Sequence, residues 1–222
     1  MGKLWSIRQV ENLDKAFFNG VGKYEIPSLM PVELDEPIDM IGFNFAKRYP
    51  NPEDVGVHFF LKDYMFGRVW DMCDRYTEML SRFRFVCTPD FSMYTDYPMA
   101  LQICNHYKKH WIGAYWQSKG LVVVPTICWS DERSLEWCFD GEPVGSTVAV
   151  SSVGTQLNRR CKELFLLGFA MMLDRLEPTT ILFHGDMPED VGRMIKNDKN
   201  EIRVVKILAF QSRLRKIKGG NV

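Results

Sequence analysis

Short apolar runs recur along the chain. Each ends abruptly in polar or small residues, and most are followed by a stretch with helical spacing. The clearest run is Leu121–Asp131, which reads Leu-Val-Val-Val-Pro-Thr-Ile-Cys-Trp-Ser-Asp. Unbroken apolar and β-branched runs of this kind fit strands buried on both faces, as in parallel sheets. Comparable strand candidates are Ile38–Phe45, Val55–Leu61, Arg84–Cys87, Thr147–Ser151, Thr179–Phe183 and Ile202–Ala209. Between them, Phe66, Val69, Trp70, Cys73 and Leu80 follow a helical period with one buried face. Pro98 opens a helix that runs to about Gln117 and is closed by Gly120. A short helix is expected from Asp131 to Phe139, the longest from Gly154 to Leu176, and another from Pro188 and Glu189. Pro125 interrupts its own run and implies a sheet edge or a bulge, because proline cannot donate a ladder hydrogen bond.

Seven strand candidates alternating with helices imply βαβ units. The expected fold class is therefore α/β: a mainly parallel sheet of about seven strands, compact or an incomplete TIM-barrel-like arrangement. The alternative is an open doubly wound sheet, which would normally carry a Gly-rich phosphate loop after its first strand. The sequence has no such loop. Three regions are expected. Residues 1–37 form an extended N-terminal arm, with Pro27, Pro31 and Pro37 either strapped across the surface or mobile. Residues 38–210 form a single α/β domain, and residues 211–222 form a basic C-terminal tail.

Composition narrows the function classes. At 222 residues and 46% apolar, the chain can bury one sizeable core. Twenty-eight basic residues balance 28 acidic ones, so general nucleic-acid binding through charge is disfavoured, although a local basic groove is compatible. The six cysteines include no C-x-x-C pair and read as reduced, mostly buried thiols. The N-terminus lacks a signal-peptide apolar core, and no apolar run is long enough to span a bilayer. The expectation is a cytoplasmic protein with no membrane contact.

If the strands are parallel, their polar ends share one rim, the usual place for a site in α/β proteins. That rim gathers Asp63, Asp90, Trp129, Ser130, Asp131, Ser151, Ser152, His184 and Asp186. Asp90 and His184 are the catalytic candidates, as a carboxylate and an imidazole suited to acid–base work. Asp63, Trp129, Ser130, Asp131, Ser151, Ser152, Gly154 and Asp186 are the ligand-binding candidates. The Ser151–Thr155 turn is a candidate anion cradle. Asp63, Asp90, His184 and Asp186 are also a candidate oxygen-rich set for a divalent cation, though no residue is assigned as a metal ligand. Asp131 and Asp186 have the competing role of helix caps, and Glu189 gives Asp186 capping-box spacing. His58 reads as core. His106 and His110 have metal-pair spacing, but with Lys108 and Lys109 between them and no H-E-x-x-H pattern they read as a solvated face. The aromatic stripe Tyr107, Trp111, Tyr115 and Trp116 reads as core, or else as a stacking platform. Cys87 and Cys128 lack an activating partner in the sequence and read as buried.

A wider layout connects these residues. Pro89-Asp90-Phe91-Ser92 is followed by Asp96, Pro98, Asn105, Gln117, Gly120, Val124-Pro125, Trp129, Cys138-Phe139-Asp140-Gly141, Ser151 and Gly154. From about Ile38 to Gly185 the chain resembles a domain-of-unknown-function family, DUF4417, of phages, prophages and bacterial mobile elements. The resemblance carries over no catalytic residue. It implies expression in a bacterial host and raises the weight of nucleotide or nucleic-acid processing, or of countering host defence. The leading expectation is a protein that binds a small anionic, nucleotide- or phosphate-bearing ligand at the rim, as a hydrolase or by sequestration. Two other classes stand beside it: a nucleic-acid-binding accessory protein of phage replication, using the basic tail and the aromatic helix, and an inhibitor that blocks a host factor through a surface patch. Oligomeric state is not legible.

Overall fold

The computed structural model describes residues 11–207. The Arg213–Gly220 tail therefore lies outside the described residues. Among the described residues the first strands are a small antiparallel pair, β1 (Gly20–Val21) and β2 (Ile26–Pro27). A parallel sheet follows, with β3 (Met40–Gly42), β4 (Gly56–His58), β5 (Phe85–Cys87) and β6 (Val123–Val124) in that spatial order. A second parallel sheet holds β7 (Thr147–Ser151), β8 (Thr180–His184) and β9 (Arg203–Ile207), also in sequence order. Helices lie between the strands: α1 (Phe43–Ala46), α2 (Arg68–Asp71), α3 (Cys73–Leu80), α4 (Met99–Ser118), α5 (Arg159–Leu176) and α6 (Glu189–Lys196). The chain is thus α/β with parallel sheets alternating with helices. Neither sheet reverses its strand order, so neither has the switch point that a doubly wound sheet requires.

The seven expected strands form two ladders, of four and three strands, and Pro125 marks the break. Before it, Val123 and Val124 pair with Val86 and Cys87. After it, Thr126 forms a parallel bridge with Ala149 of β7. Pro125 has no N–H, but its carbonyl accepts from the Ala149 amide at 2.8 Å. On the other side a side chain replaces the lost ladder: Thr88 Oγ1 accepts from the Thr126 amide at 2.8 Å, and Thr126 Oγ1 donates to the Thr88 carbonyl at 2.8 Å. The strand changes partners at the residue that cannot donate.

Three apolar clusters account for the layers. Ile41, Val57, Val86 and Val123 face outward from the first sheet onto α2, α3 and α4. Val148, Val150, Ile181 and Phe183 face outward from the second sheet onto α5 and α6. The alternate residues Met40, Phe85, Cys87, Val124, Ala149, Leu182 and Ile207 meet in a third cluster, between the two sheets. The period-2 alternation of strands puts neighbouring residues in different clusters.

The arm closes one end of this arrangement. Leu34 is buried in the inter-sheet cluster. The Thr147 amide, at the start of β7, donates to the Val32 carbonyl at 2.8 Å. Arg203, at the start of β9, reaches the Leu34 carbonyl at 2.9 Å. Arg84, just before β5, donates to the carbonyls of Asp35 and Pro37. The arm therefore crosses the N-terminal ends of the strands and, among the described residues, leaves the C-terminal ends uncovered.

Several local expectations change. The first strand stops at Gly42 and gives way to α1, so Phe43–Phe45 is helical. The helix expected over 66–80 is divided at Met72, although Phe66, Val69, Trp70, Cys73 and Leu80 are all buried. The segment after Asp131 is only a short 3-10 turn, Ser134–Glu136. α5 starts at Arg159 rather than Gly154, because Asn158 caps it by accepting from the Cys161 amide. The longest helix is α4.

The face of α4 expected to be solvated is buried: His106, Lys109 and His110 are 1%, 1% and 0% exposed. Glu142 is folded against this face, 2.6 Å from the Lys109 ammonium and 3.0 Å from His110 Nε2, a partner that i, i+4 spacing on one helix cannot reveal. The aromatic stripe is core as well. Trp111 stacks on Tyr115 with ring centres 5.0 Å apart, and Trp116 stacks on Phe59 at 5.8 Å. These rings offer no stacking platform to a nucleic acid.

Candidate functional site

The uncovered C-terminal ends of the strands enclose a cleft of about 910 Å³. β4 leads into Phe60 and Lys62, and β5 into Asp90 and Ser92. The segment after β6 supplies Cys128, Trp129 and Ser130. β7 ends in Ser151 and β8 in His184, and all of these line the cleft. Because every strand pair within the two larger sheets is parallel, strand ends distant in sequence arrive together. Asp90 and His184 share this cleft.

Asp90 is partly buried in the wall. Burial, reinforced by the charge of Asp63 and opposed by Lys109, pushes its carboxyl up to about 6. It is hydrogen-bonded to the Cys128 thiol, whose own pKa burial pushes up to about 12. Cys128 is therefore a neutral donor rather than a nucleophile, and burial likewise raises Cys87. His184 is held below its ordinary range by burial and is neutral at pH 7. Its ring lies flat on Phe60, with centroids 4.7 Å apart, and its Nδ1 is 3.0 Å from Ser151 Oγ. His58 sits 5.3 Å from His184, ring centre to ring centre. Burial, with His184 adding to it, holds His58 down to about 3.

The other candidates divide. Trp129, Ser130, Ser151 and Gly154 line the cleft, and the Ser130 hydroxyl is buried without a hydrogen-bond partner among the described residues. Asp63 supports the site from behind, accepting from the Ser92 amide at 3.1 Å and the Ser92 hydroxyl at 2.7 Å. Asp131 is paired with Arg133 at 2.6 Å, which holds its carboxyl low. Ser152 is buried and donates to the Asp186 carbonyl at 2.6 Å. Asp186 is exposed, and α6 is preceded by Pro188 with no side-chain cap, so the capping-box spacing is not used. Asp131, Ser152 and Asp186 are not among the residues lining the cleft.

Asp63, Asp90, His184 and Asp186 form no common ligand set among the described residues. The Ser151–Thr155 turn has few free donors. The Ser152 amide bonds the His184 carbonyl, the Val153 amide the Ser151 hydroxyl, and the Thr155 amide the Ser152 carbonyl. Sequence reasoning missed Phe60, Lys62, Tyr94 and Cys128 as lining residues. The signal for Phe60 and Lys62 was present, since they continue β4 at every second position past His58.

Comparison with known proteins agrees with the layout read from the sequence. A family model described as "Domain of unknown function (DUF4417)" matches residues 18–205. The chain is 38% identical over 172 residues to the "Gene 1 protein" of Mycobacterium phage L5, covering 77% of this chain and 75% of that one. It is 38% identical over 170 residues to the "Gene 1 protein" of Mycobacterium phage D29, covering 76% of this chain and 63% of that one. No solved structure matches. A match over most of the chain, together with phage relatives at this identity, shows that the chain belongs to the DUF4417 family.

Proposed function

We propose that the two parallel sheets act as an incomplete barrel whose open rim binds a small anionic ligand, nucleotide-like in character. Asp90 and His184 form its polar centre. One observation carries the reading: a carboxyl group that titrates near neutrality faces the same cleft as a neutral imidazole. A carboxyl group tuned in this way can exchange a proton at physiological pH, which an ordinary aspartate cannot do. The volume lies within the range of small-molecule sites, about 300–1,000 Å³. Phe60, Trp129 and Tyr94 supply flat surfaces for a base or similar ring, and Lys62 supplies positive charge for a phosphate. Lys62 is better suited to that task than the Ser151–Thr155 turn, whose amides are largely engaged. The strand order and the shared inter-sheet cluster support the barrel-like view. The protein would act in the cytoplasm of a bacterial host.

Thermal-shift measurements against nucleotides at pH 5–8 test this reading. The expected result is a raised Tm for one ligand class, with an affinity that changes around pH 6 and is lost in Asp90→Asn. If no ligand shifts the transition, or if Asp90→Asn responds as the wild type does, the reading is wrong. Product analysis with the active compound separates hydrolysis from sequestration.

One observation favours a second reading, the docking of a host protein at the cleft mouth. Val153, Leu157 and Tyr94 are 65%, 80% and 59% exposed there. Exposed apolar groups gathered at one cleft are a feature of interaction sites. Leu157→Asp should abolish capture of one host protein if this reading is right, and should leave nucleotide shifts intact if the first one is.

A further inference from the structure

Away from the cleft, His106, His110 and Glu142 converge in the core. One donor atom from each lies within 4.8 Å of the others, and all three residues are buried. Each imidazole has one ring nitrogen against a main-chain carbonyl. His110 Nδ1 is 2.8 Å from the Pro27 oxygen, and His106 Nε2 is 3.2 Å from the Asp140 oxygen. A carbonyl only accepts, so these two nitrogens carry hydrogens. In a neutral ring the other nitrogen then presents a lone pair. His106 Nδ1 is buried with no partner among the described residues, and so is Glu142 Oε2. His110 Nε2 lies 3.0 Å from Glu142 Oε1. The three side chains thus meet, two of them with a buried atom that has no partner among the described residues, and the two rings are fixed by the kind of outer carbonyl contact that orients metal-bound histidines.

We propose that His106, His110 and Glu142 bind one zinc-class divalent cation as a structural centre that ties α4 to the Asp140–Glu142 turn. Imidazole and carboxylate donors suit zinc and neighbouring first-row ions, whereas magnesium and calcium call for more oxygen ligands. Lys109 is the competing feature, with its ammonium 2.6 Å from Glu142 Oε1 and 2.9 Å from the Thr126 carbonyl. It bonds Oε1 and leaves Oε2 without a partner among the described residues, so it can stay as an outer hydrogen-bond donor when the ion is bound. A hydrogen bond between His110 Nε2 and Glu142 Oε1 accounts for their contact but leaves His106 Nδ1 and Glu142 Oε2 without partners among the described residues. Gly141 gives the turn its close approach: it has φ +78°, and a Cβ there would lie 2.5 Å from the Pro27 oxygen and 2.8 Å from His110 Nδ1.

The test uses the full chain, purified without added metal, stripped with chelator and then titrated with Zn²⁺ and Co²⁺. The expected result is about one equivalent bound, a raised Tm and visible absorption bands from the bound Co²⁺. His106→Gln keeps a donor for the Asp140 carbonyl but loses the ligand nitrogen, and Glu142→Gln keeps the side-chain shape. Each should weaken binding by about tenfold or more, while the cleft variant His184→Ala keeps its metal. The proposal is overturned if folded wild-type protein binds less than about one tenth of an equivalent at micromolar Zn²⁺. Metal uptake by His106→Gln equal to that of the wild type also overturns it. If Glu142→Gln does not fold, the His106→Gln comparison decides alone.

Discussion

Asp90 works against the stability of the fold at neutral pH. An ordinary aspartate ionises near 3.9, whereas this one is pushed up to about 6, first by burial. Between these values the folded chain holds a proton that the unfolded chain has released, so stability falls as pH rises from about 4 to about 6. Asp90→Asn removes that loss. The variant should be more stable than the wild type at pH 7 by about 1–2 kcal/mol, a figure reduced because the cleft admits solvent. Chemical denaturation at pH 4 and pH 7 checks this, and an unchanged or lower stability at pH 7 would show that the carboxyl is not perturbed. His58 has the opposite slope. Its folded pKa is about 3 and its unfolded pKa about 6.5, so it contributes stability above pH 6.5 that is lost as pH falls toward 3. His58→Phe should flatten the loss of Tm between pH 6.5 and pH 4, and a slope identical to the wild type would count against a neutral buried imidazole.

At the scale of elements, α5 holds one wall of the cleft through Trp129. The indole N–H donates to the Leu164 carbonyl at 3.2 Å, and the ring stacks on Phe165 at 5.5 Å. The indole also lies directly over Gly168, where a Cβ would come within 2.3 Å of the ring. A methyl group cannot be accommodated there unless helix or indole moves. Gly168→Ala should therefore cost about 1–3 kcal/mol and shift the Trp129 fluorescence. The ligand binding proposed for the cleft should weaken as well, since Trp129 lines it. A variant with wild-type stability and emission would mean that the helix is less tightly docked. Pro125 has its effect at the same scale: one residue without an N–H ends the pairing of β6 with β5 and frees the next residues to pair with β7.

For the molecule as a whole, the arm decides which end can be a site. Its hydrogen bonds to Thr147, Arg203 and Arg84 cover the beginnings of the strands, and Leu34 fills the space between the sheets. Leu34→Ala should destabilise by about 2–4 kcal/mol, since it removes a buried side chain from the layer that joins the two sheets. Thermal unfolding measures this, and a loss below about 0.5 kcal/mol would show that the arm only rests on the surface. No helix among the described residues is long and apolar enough to cross a membrane.

Periodicity alone determined the class of fold, because unbroken apolar runs followed by helical spacing leave few packings other than parallel strands covered by helices. It also placed Asp90, Trp129, Ser151 and His184 at strand ends, since a parallel sheet sends all such ends to one side. Tertiary structure alone decided the rest. His106, Lys109 and His110 look like a wet helix face until Glu142, remote in sequence, is folded against them. Asp131 and Asp186 sit at strand ends like Asp90, but one is paired with Arg133 and the other faces solvent. A linear pattern records which face a residue takes on its own element. The charge that meets that face belongs to another part of the chain, and only folding brings the two together.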